Sequence, residues 1–225
     1  MHITGITDVS GLFVAAEHTT IDILGLFAST EVFVFVFMEV SFNVAFVRRV
    51  LFKEARWYDY FFCILLFGGF SIFGTYTGIK LDGGSVSSIR DLGPMVAGLI
   101  GGPIIGVGAG LVGGIHRYLL GGITDVSCSL ATILAGLITG LIYQFRHGKI
   151  LNMWISILVA VTLEFLHGSL AMLISKPTVI VWEIVKEAIP AMMIANGLGI
   201  LLAGIAIGRA VEANEIRKRT VMREA

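Results

Sequence analysis

Long runs of apolar residues alternate with short polar stretches along this chain, and each run predicts a membrane helix. A helix needs about 20 residues to cross a hydrocarbon core ~30 Å thick, and each run is close to that length. A bilayer accepts only segments whose backbone hydrogen bonds are satisfied, and the runs are too uniformly apolar for barrel strands. The predicted segments are 22–47, 59–79, 92–116, 123–145, 151–174 and 183–208.

The third of these segments contains a Gly-Gly-Pro sequence that predicts a break in the helix. Gly101 and Gly102 permit a sharp turn, and Pro103 suits the first turn of a new helix better than a helix interior. Residues 91–101 would form a helix of only about 16 Å, which is half a bilayer. We therefore predict that residues 91–118 form a re-entrant or short-helix hairpin, within an all-α polytopic bundle of about six long segments.

The distribution of basic residues also favours the hairpin. Residues 1–21 contain no Lys or Arg, and we place them outside. A straight third span then puts seven of the 16 basic residues in the cytoplasm, whereas a hairpin puts eleven there, as the positive-inside rule prefers. The five that remain outside are Lys80, Arg90, Arg117, Lys176 and Lys186. We expect a multi-pass plasma (inner) membrane protein with its N-terminus outside and its C-terminus in the cytoplasm.

Composition agrees with a membrane domain and narrows the possible functions. Hydrophobic residues make up 56% of the chain and charged residues 14%, against about a quarter in soluble proteins. The net charge is zero and gives no indication of a nucleic-acid partner. Cys63 and Cys128 lie in apolar surroundings and suggest no disulfide framework. We expect a transmembrane domain over residues 1–210, followed at 211–225 by the start of a cytoplasmic signalling helix.

Arg90 and Arg117 flank the predicted hairpin and are the first candidates for a ligand site. The guanidinium group stays charged and offers a planar fork that suits carboxylates, so two converging arginines would favour a small anion. The alternative is that both reach to the membrane interface or pair with Asp91 and Asp125.

Three neighbouring residues could complete such a site. Ser88 and Thr132 could add neutral hydrogen bonds, and Cys128 could add a polarizable or redox-sensitive contact. For Cys128 the alternative is simple burial as a small hydrophobe.

Polar residues in the last two segments form a second group of candidates. Glu164 and His167 lie one helical turn apart at mid-membrane, which is costly and therefore indicates a functional site, or else a structural contact with Asn196. One His and one Glu are too few for a metal site, and we find no cofactor motif or catalytic set. Pro190 predicts a kink or an unwound turn in the last segment, and with Asn196 it could provide a flexible point.

Several stretches resemble the membrane input domain of LytS-type sensor histidine kinases. They are GTYTG at 74–78, the Gly-Gly-Pro, HRY at 116–118, the mid-membrane Glu164 and IPAMMIANGLG at 189–199. This five-transmembrane receptor module of the LytS-YhcK type also occurs on some diguanylate cyclases, and the resemblance covers residues 51 to 208. Ser88 replaces the usual asparagine of an Asn-x-Arg motif, and Ala131 lies where some relatives have serine.

The resemblance implies a receptor for extracellular small molecules, with pyruvate-like carboxylates for the most similar branch. It implies that Arg90 and Arg117 bind the carboxylate, with Cys128 close by. It also implies a homodimer formed through the C-terminal helix, and a kinase or cyclase output domain outside this chain, so that this chain itself has no catalytic site. The alternative is the substrate-binding subunit of an energy-coupling-factor vitamin importer, which also has about six helices and a broken glycine-rich segment.

Overall fold

In the computed structural model, which describes residues 30–80 and 86–224, the chain is a helical bundle. The helices are α1 (Thr30–Asn43), α2 (Ala45–Leu51), α3 (Trp57–Tyr76), α4 (Leu92–Gly101), α5 (Pro103–Leu119), α6 (Asp125–Phe145), α7 (Met153–Ile174) and α8 (Thr178–Glu224). Two short antiparallel strands, β1 (Ile79–Lys80) and β2 (Val86–Ser87), precede α4. The predicted N-terminal orientation and residues 22–29 of the first predicted segment lie outside the described residues.

Four helices, α3, α6, α7 and α8, are long and apolar enough to cross a membrane, which confirms a polytopic helical bundle. A fifth crossing is possible for α1 and α2 together, but the two are bent by 79°. Over its described residues, the first predicted segment is therefore bent into two helices. The break falls at Val44, whose backbone is extended (φ −72°, ψ 137°), so that α2 leaves the direction of α1.

The predicted break in the third segment is confirmed. Gly102 separates α4 from α5 with a φ of +81°, a left-handed conformation that favours glycine, and Pro103 begins α5. The hairpin returns to the end of the bundle from which it started, because the Tyr76 hydroxyl at the end of α3 lies 3.1 Å from the His116 ring near the end of α5. All residues of α4 up to Ile100 are buried, as a broken helix at membrane depth requires.

Glycines bring α5 and α6 into backbone contact. A Cβ added at Gly106 would collide with the Gly136 carbonyl oxygen, and one added at Gly110 would lie 2.9 Å from the Cα of Ile133. Close approach through small residues is how membrane helices associate without a hydrophobic driving force. It fixes the position of α6, which carries much of the candidate site.

The last helix, α8, runs without interruption from inside the bundle to the charged tail. Pro190 lies within this helix, which continues through the proline. The predicted unwound turn is therefore wrong. In its C-terminal half, α8 contacts α1 through the ion pair between Arg209 and Glu39 at 2.7 Å. A second contact joins Asn214 to Arg48 at 3.4 Å.

Candidate functional site

Two arginines that flank the hairpin are completely enclosed by the bundle. The exposed fraction of Arg90 is 0%, and that of Arg117 is 1%. Gly74 of α3 allows the loop before α4 to pass close to α3, because a Cβ at this position would lie only 2.9 Å from the Arg90 backbone nitrogen. Both side chains are therefore enclosed by protein and do not extend over the surface of the bundle.

Arg90 belongs to a network centred on Asp91 and Thr132. The Arg90 Nε donates to the Thr132 hydroxyl at 2.9 Å and lies 3.6 Å from the Asp91 carboxylate. The Thr132 hydroxyl also lies 2.5 Å from Asp91 Oδ1 and 2.9 Å from the Cys128 carbonyl oxygen, one turn earlier on α6. The loop before α4 is thus joined to α6 through charged and hydroxyl groups in the interior.

His167 extends this network to α7. Its Nδ1 lies 2.9 Å from Asp91 Oδ2 and 3.5 Å from Glu164 Oε2. Cys128 of α6 and His167 of α7 line one small cavity and interact electrostatically. Asp91, His167 and Cys128 therefore belong to one cluster that joins the loop before α4 to α6 and α7.

Arg117 completes the cluster from the end of α5. Its Nη1 donates to the Gly121 carbonyl oxygen at 2.5 Å, and its Nη2 lies 3.4 Å from the Thr124 hydroxyl. The guanidinium also interacts with the Cys128 side chain. Arg90 and Arg117 therefore belong to one buried cluster, in which both interact electrostatically with Cys128.

The cluster contains buried polar atoms that have no hydrogen-bond partner among the described residues. On the cationic side these atoms are Nη1 and Nη2 of Arg90 and Nε of Arg117. On the anionic side they are both carboxylate oxygens of Glu164. Leaving such groups unsatisfied is costly, and charged groups are the most costly of all. Three buried guanidinium nitrogens without partners suit an anion with two oxygens.

A small cavity opens beside the cluster, against α8. Thr124, Cys128 and His167 line its polar side. Its volume is about 20 Å³, which is room for one water molecule. Its other walls are Ala171 of α7 and the α8 residues Ile184, Val185, Ala188, Ile189 and Met192.

The remaining predicted residues lie at different distances from this centre. Ser88 is buried beside Arg90, and its hydroxyl lies 3.5 Å from the Arg90 backbone nitrogen. Asn196 donates to the Ser88 and Met192 carbonyl oxygens, at 3.4 and 3.1 Å. The alternative contact of Asn196 with Glu164 and His167 is not among the hydrogen bonds of the described residues.

Asp91 is the member of this cluster that the sequence analysis underrated, since it appeared there only as an alternative partner of the arginines. An acidic residue directly before a buried half-helix was the available signal, because ionisable groups at that depth are expensive. Pro190, in contrast, is exposed on α8 and does not line the cavity beside Cys128.

Asp91, Glu164 and His167 also have the geometry of a possible metal site. Their ligand atoms all lie within 4.8 Å of one another. The surrounding charge disfavours a cation, however, because the Arg90 guanidinium lies 3.6 Å from the Asp91 carboxylate. The arrangement suits an anion next to the arginines better than a metal among the acids.

Comparisons with known proteins point to membrane sensors. The family model described as 5TMR of 5TMR-LYT matches residues 44–209. Sensor protein LytS of Bacillus anthracis is 35% identical over 169 residues, which cover 68% of this chain and 28% of that protein. Sensor histidine kinase BtsS of Escherichia coli K12 is 33% identical over 147 residues, which cover 63% of this chain and 26% of that protein.

The matched segment therefore spans little more than a quarter of these relatives. No solved structure matches this chain. Because the matched proteins carry the names of sensors, they favour the receptor hypothesis over the vitamin importer.

Proposed function

This chain belongs to the 5TMR-LYT family, and we propose that it is the membrane receptor region of a sensor protein that binds a small carboxylate, such as pyruvate. The observation that carries the proposal is the pair of buried arginines with unsatisfied N–H groups in one cluster. A carboxylate between Arg90 and Arg117 would accept hydrogen bonds from both. Charge-assisted bonds of this kind are the strong ones in proteins.

The size of the cavity suggests how binding becomes a signal. A three-carbon acid is larger than the single water molecule for which the cavity has room, so its entry must widen the space between His167 and α8. The apolar wall on α8, from Ile184 to Met192, is the part that must move. The same helix continues to the charged tail, and we propose that it carries the displacement inward to a kinase or cyclase domain.

The ligand acts on a two-state equilibrium. It shifts the population only by its difference in affinity for the two positions of α8, and moving a population from 1:99 to 99:1 needs ~5.5 kcal/mol. We propose that the protein works as a homodimer in which the exposed tails at 211–223 pair, with the N-terminus outside the cell and the tail in the cytoplasm.

Isothermal titration calorimetry on the purified 225-residue chain in detergent tests the binding site. We expect saturable binding of pyruvate or another short carboxylate. Arg117→Ala should weaken it about 10- to 100-fold, the value of one or two charge-assisted hydrogen bonds. Arg146→Ala, which removes an exposed arginine after α6, is the matched control and should leave the affinity unchanged.

Arg117→Lys distinguishes a loss of bidentate hydrogen bonding from a loss of folding. It keeps the positive charge but cannot offer the bidentate geometry, so we expect a folded protein with intermediate affinity. Carboxylate affinity that is indifferent to both Arg117 variants would contradict the proposal. Binding of a vitamin instead, equally indifferent to Arg117, would favour the importer.

A further inference from the structure

We propose that Cys128 captures a 2-oxo acid such as pyruvate covalently and reversibly, with His167 transferring the proton. This inference rests on the proposed carboxylate site and adds a covalent bond to it. It assigns a task to the Cys128–His167–Asp91 chain, which carboxylate binding by the arginines does not use.

The chain has the arrangement that activates a thiol. Asp91 Oδ2 lies 2.9 Å from His167 Nδ1, and in the proposed step Nδ1–H donates to the carboxylate while the second ring nitrogen accepts the thiol proton. The Cys128 thiol interacts with that imidazole and lines the same cavity. A nucleophile, a base and a third group that orients the base are the parts that nucleophilic catalysis requires. Asp91 is the positioning residue, since it acts only through His167.

Arg117 places the electrophile next to the thiol. Its guanidinium interacts with Cys128, and its unpartnered Nε lies in the same cluster. In a 2-oxo acid the ketone carbon is bonded directly to the carboxylate carbon. A carboxylate held by Arg117 therefore brings the ketone carbon beside Sγ, and reduces the attack to an intramolecular step. Once α8 has moved outward, the apolar wall of Ala171 and α8 faces the short alkyl group on the other side of the ketone.

The step balances without any further reactant. His167 accepts the proton of the Cys128 thiol, an S–C bond forms at the ketone carbon, and the C=O π bond breaks. The proton then passes from His167 to the new oxygen atom, which gives a hemithioketal. Nothing is oxidised or reduced, and the reverse steps release the ligand, as a sensor requires.

Lactate is the matched ligand for the test, because it has the same carboxylate and carbon skeleton as pyruvate but no ketone. Calorimetry on the full chain should give an affinity for pyruvate at least about 10-fold higher than for lactate. Cys128→Ser should remove this difference and leave both ligands bound at the arginines. Cys63→Ser, which replaces the other buried free cysteine, should preserve the difference.

Carbon NMR of bound [2-¹³C]pyruvate reports the bond itself. We expect the labelled carbon to move from the ketone region to the region of saturated carbons, and to return to the ketone region in Cys128→Ser. A ketone signal in the bound wild-type protein, with pyruvate and lactate bound equally and both weakened by Arg117→Ala, overturns covalent capture but keeps the carboxylate site. Absence of binding for every carboxylate overturns the site, and this inference with it.

Discussion

Thr132 shows how much a single neutral residue contributes inside this bundle. Its hydroxyl lies within hydrogen-bond distance of Arg90 Nε, Asp91 Oδ1 and the carbonyl oxygen of Cys128. Sequence alone indicated Thr132 only as a neutral residue near the arginines, because one helical turn from Cys128 puts it on the same face of α6. Thr132 joins a cation to an anion only because the loop before α4 enters the bundle at this point. No local sequence pattern specifies that position of the loop.

Thr132→Val should therefore destabilise the protein by about 1–3 kcal/mol, because the isosteric change leaves two buried charged groups short of a partner. Thermal or SDS unfolding in detergent measures the effect. Thr162→Val is the matched control, since the Thr162 hydroxyl bonds only to the Leu158 carbonyl oxygen among the described residues and its side chain is exposed. Equal stability of the two variants would show that the Thr132 network contributes nothing.

At the scale of the elements, the contact between α5 and α6 decides whether the site forms. Glycine recurs at every fourth residue of α5, and the structure places Gly106, Gly110 and Gly114 of this face against α6. The helix that packs against this face could not be predicted, because a row of glycines can pack against any helix that also exposes its backbone. Gly136 on α6 supplies that surface.

Gly106→Ala is expected to destabilise the bundle by about 1–3 kcal/mol, because the added methyl group collides with the Gly136 carbonyl and the backbones must separate. It should also weaken ligand binding, since α6 carries Cys128 and Thr132. Gly69→Ala on α3 is the comparison: a Cβ there meets nothing within 4 Å, and replacing glycine in a helix is favourable by about 0.5–1 kcal/mol. Unfolding curves of both variants would contradict the packing if Gly106→Ala proved as stable as Gly69→Ala.

For the whole molecule, the return of the hairpin sets the direction of every later helix. The contact between Tyr76 and His116 places both ends of the hairpin at one end of the bundle, so α6, α7 and α8 run in the order that the basic residues favoured. The sides of the membrane remain a prediction from charge.

Cysteine labelling tests that prediction in a Cys63→Ser, Cys128→Ser background. Leu119→Cys and Lys176→Cys should react with a membrane-impermeant reagent added outside, whereas Trp57→Cys and Lys149→Cys should react only after permeabilisation. All four positions are exposed in the structure. Labelling of positions 57 and 119 from the same side would contradict the hairpin topology, because only a straight third span puts them together.

The sequence by itself determined the membrane helices and the break at Gly102, and it identified Arg90 and Arg117 as candidates for the site. These features depend on local chemistry: apolar length, backbone freedom at glycine and the cost of a charge at depth. Only the tertiary structure decided that Asp91 links Arg90 to His167, that Asn196 turns to Ser88, and that α8 continues through Pro190. Contacts between residues far apart in the chain depend on how helices pack, and the burial that creates them is a property of the assembled bundle.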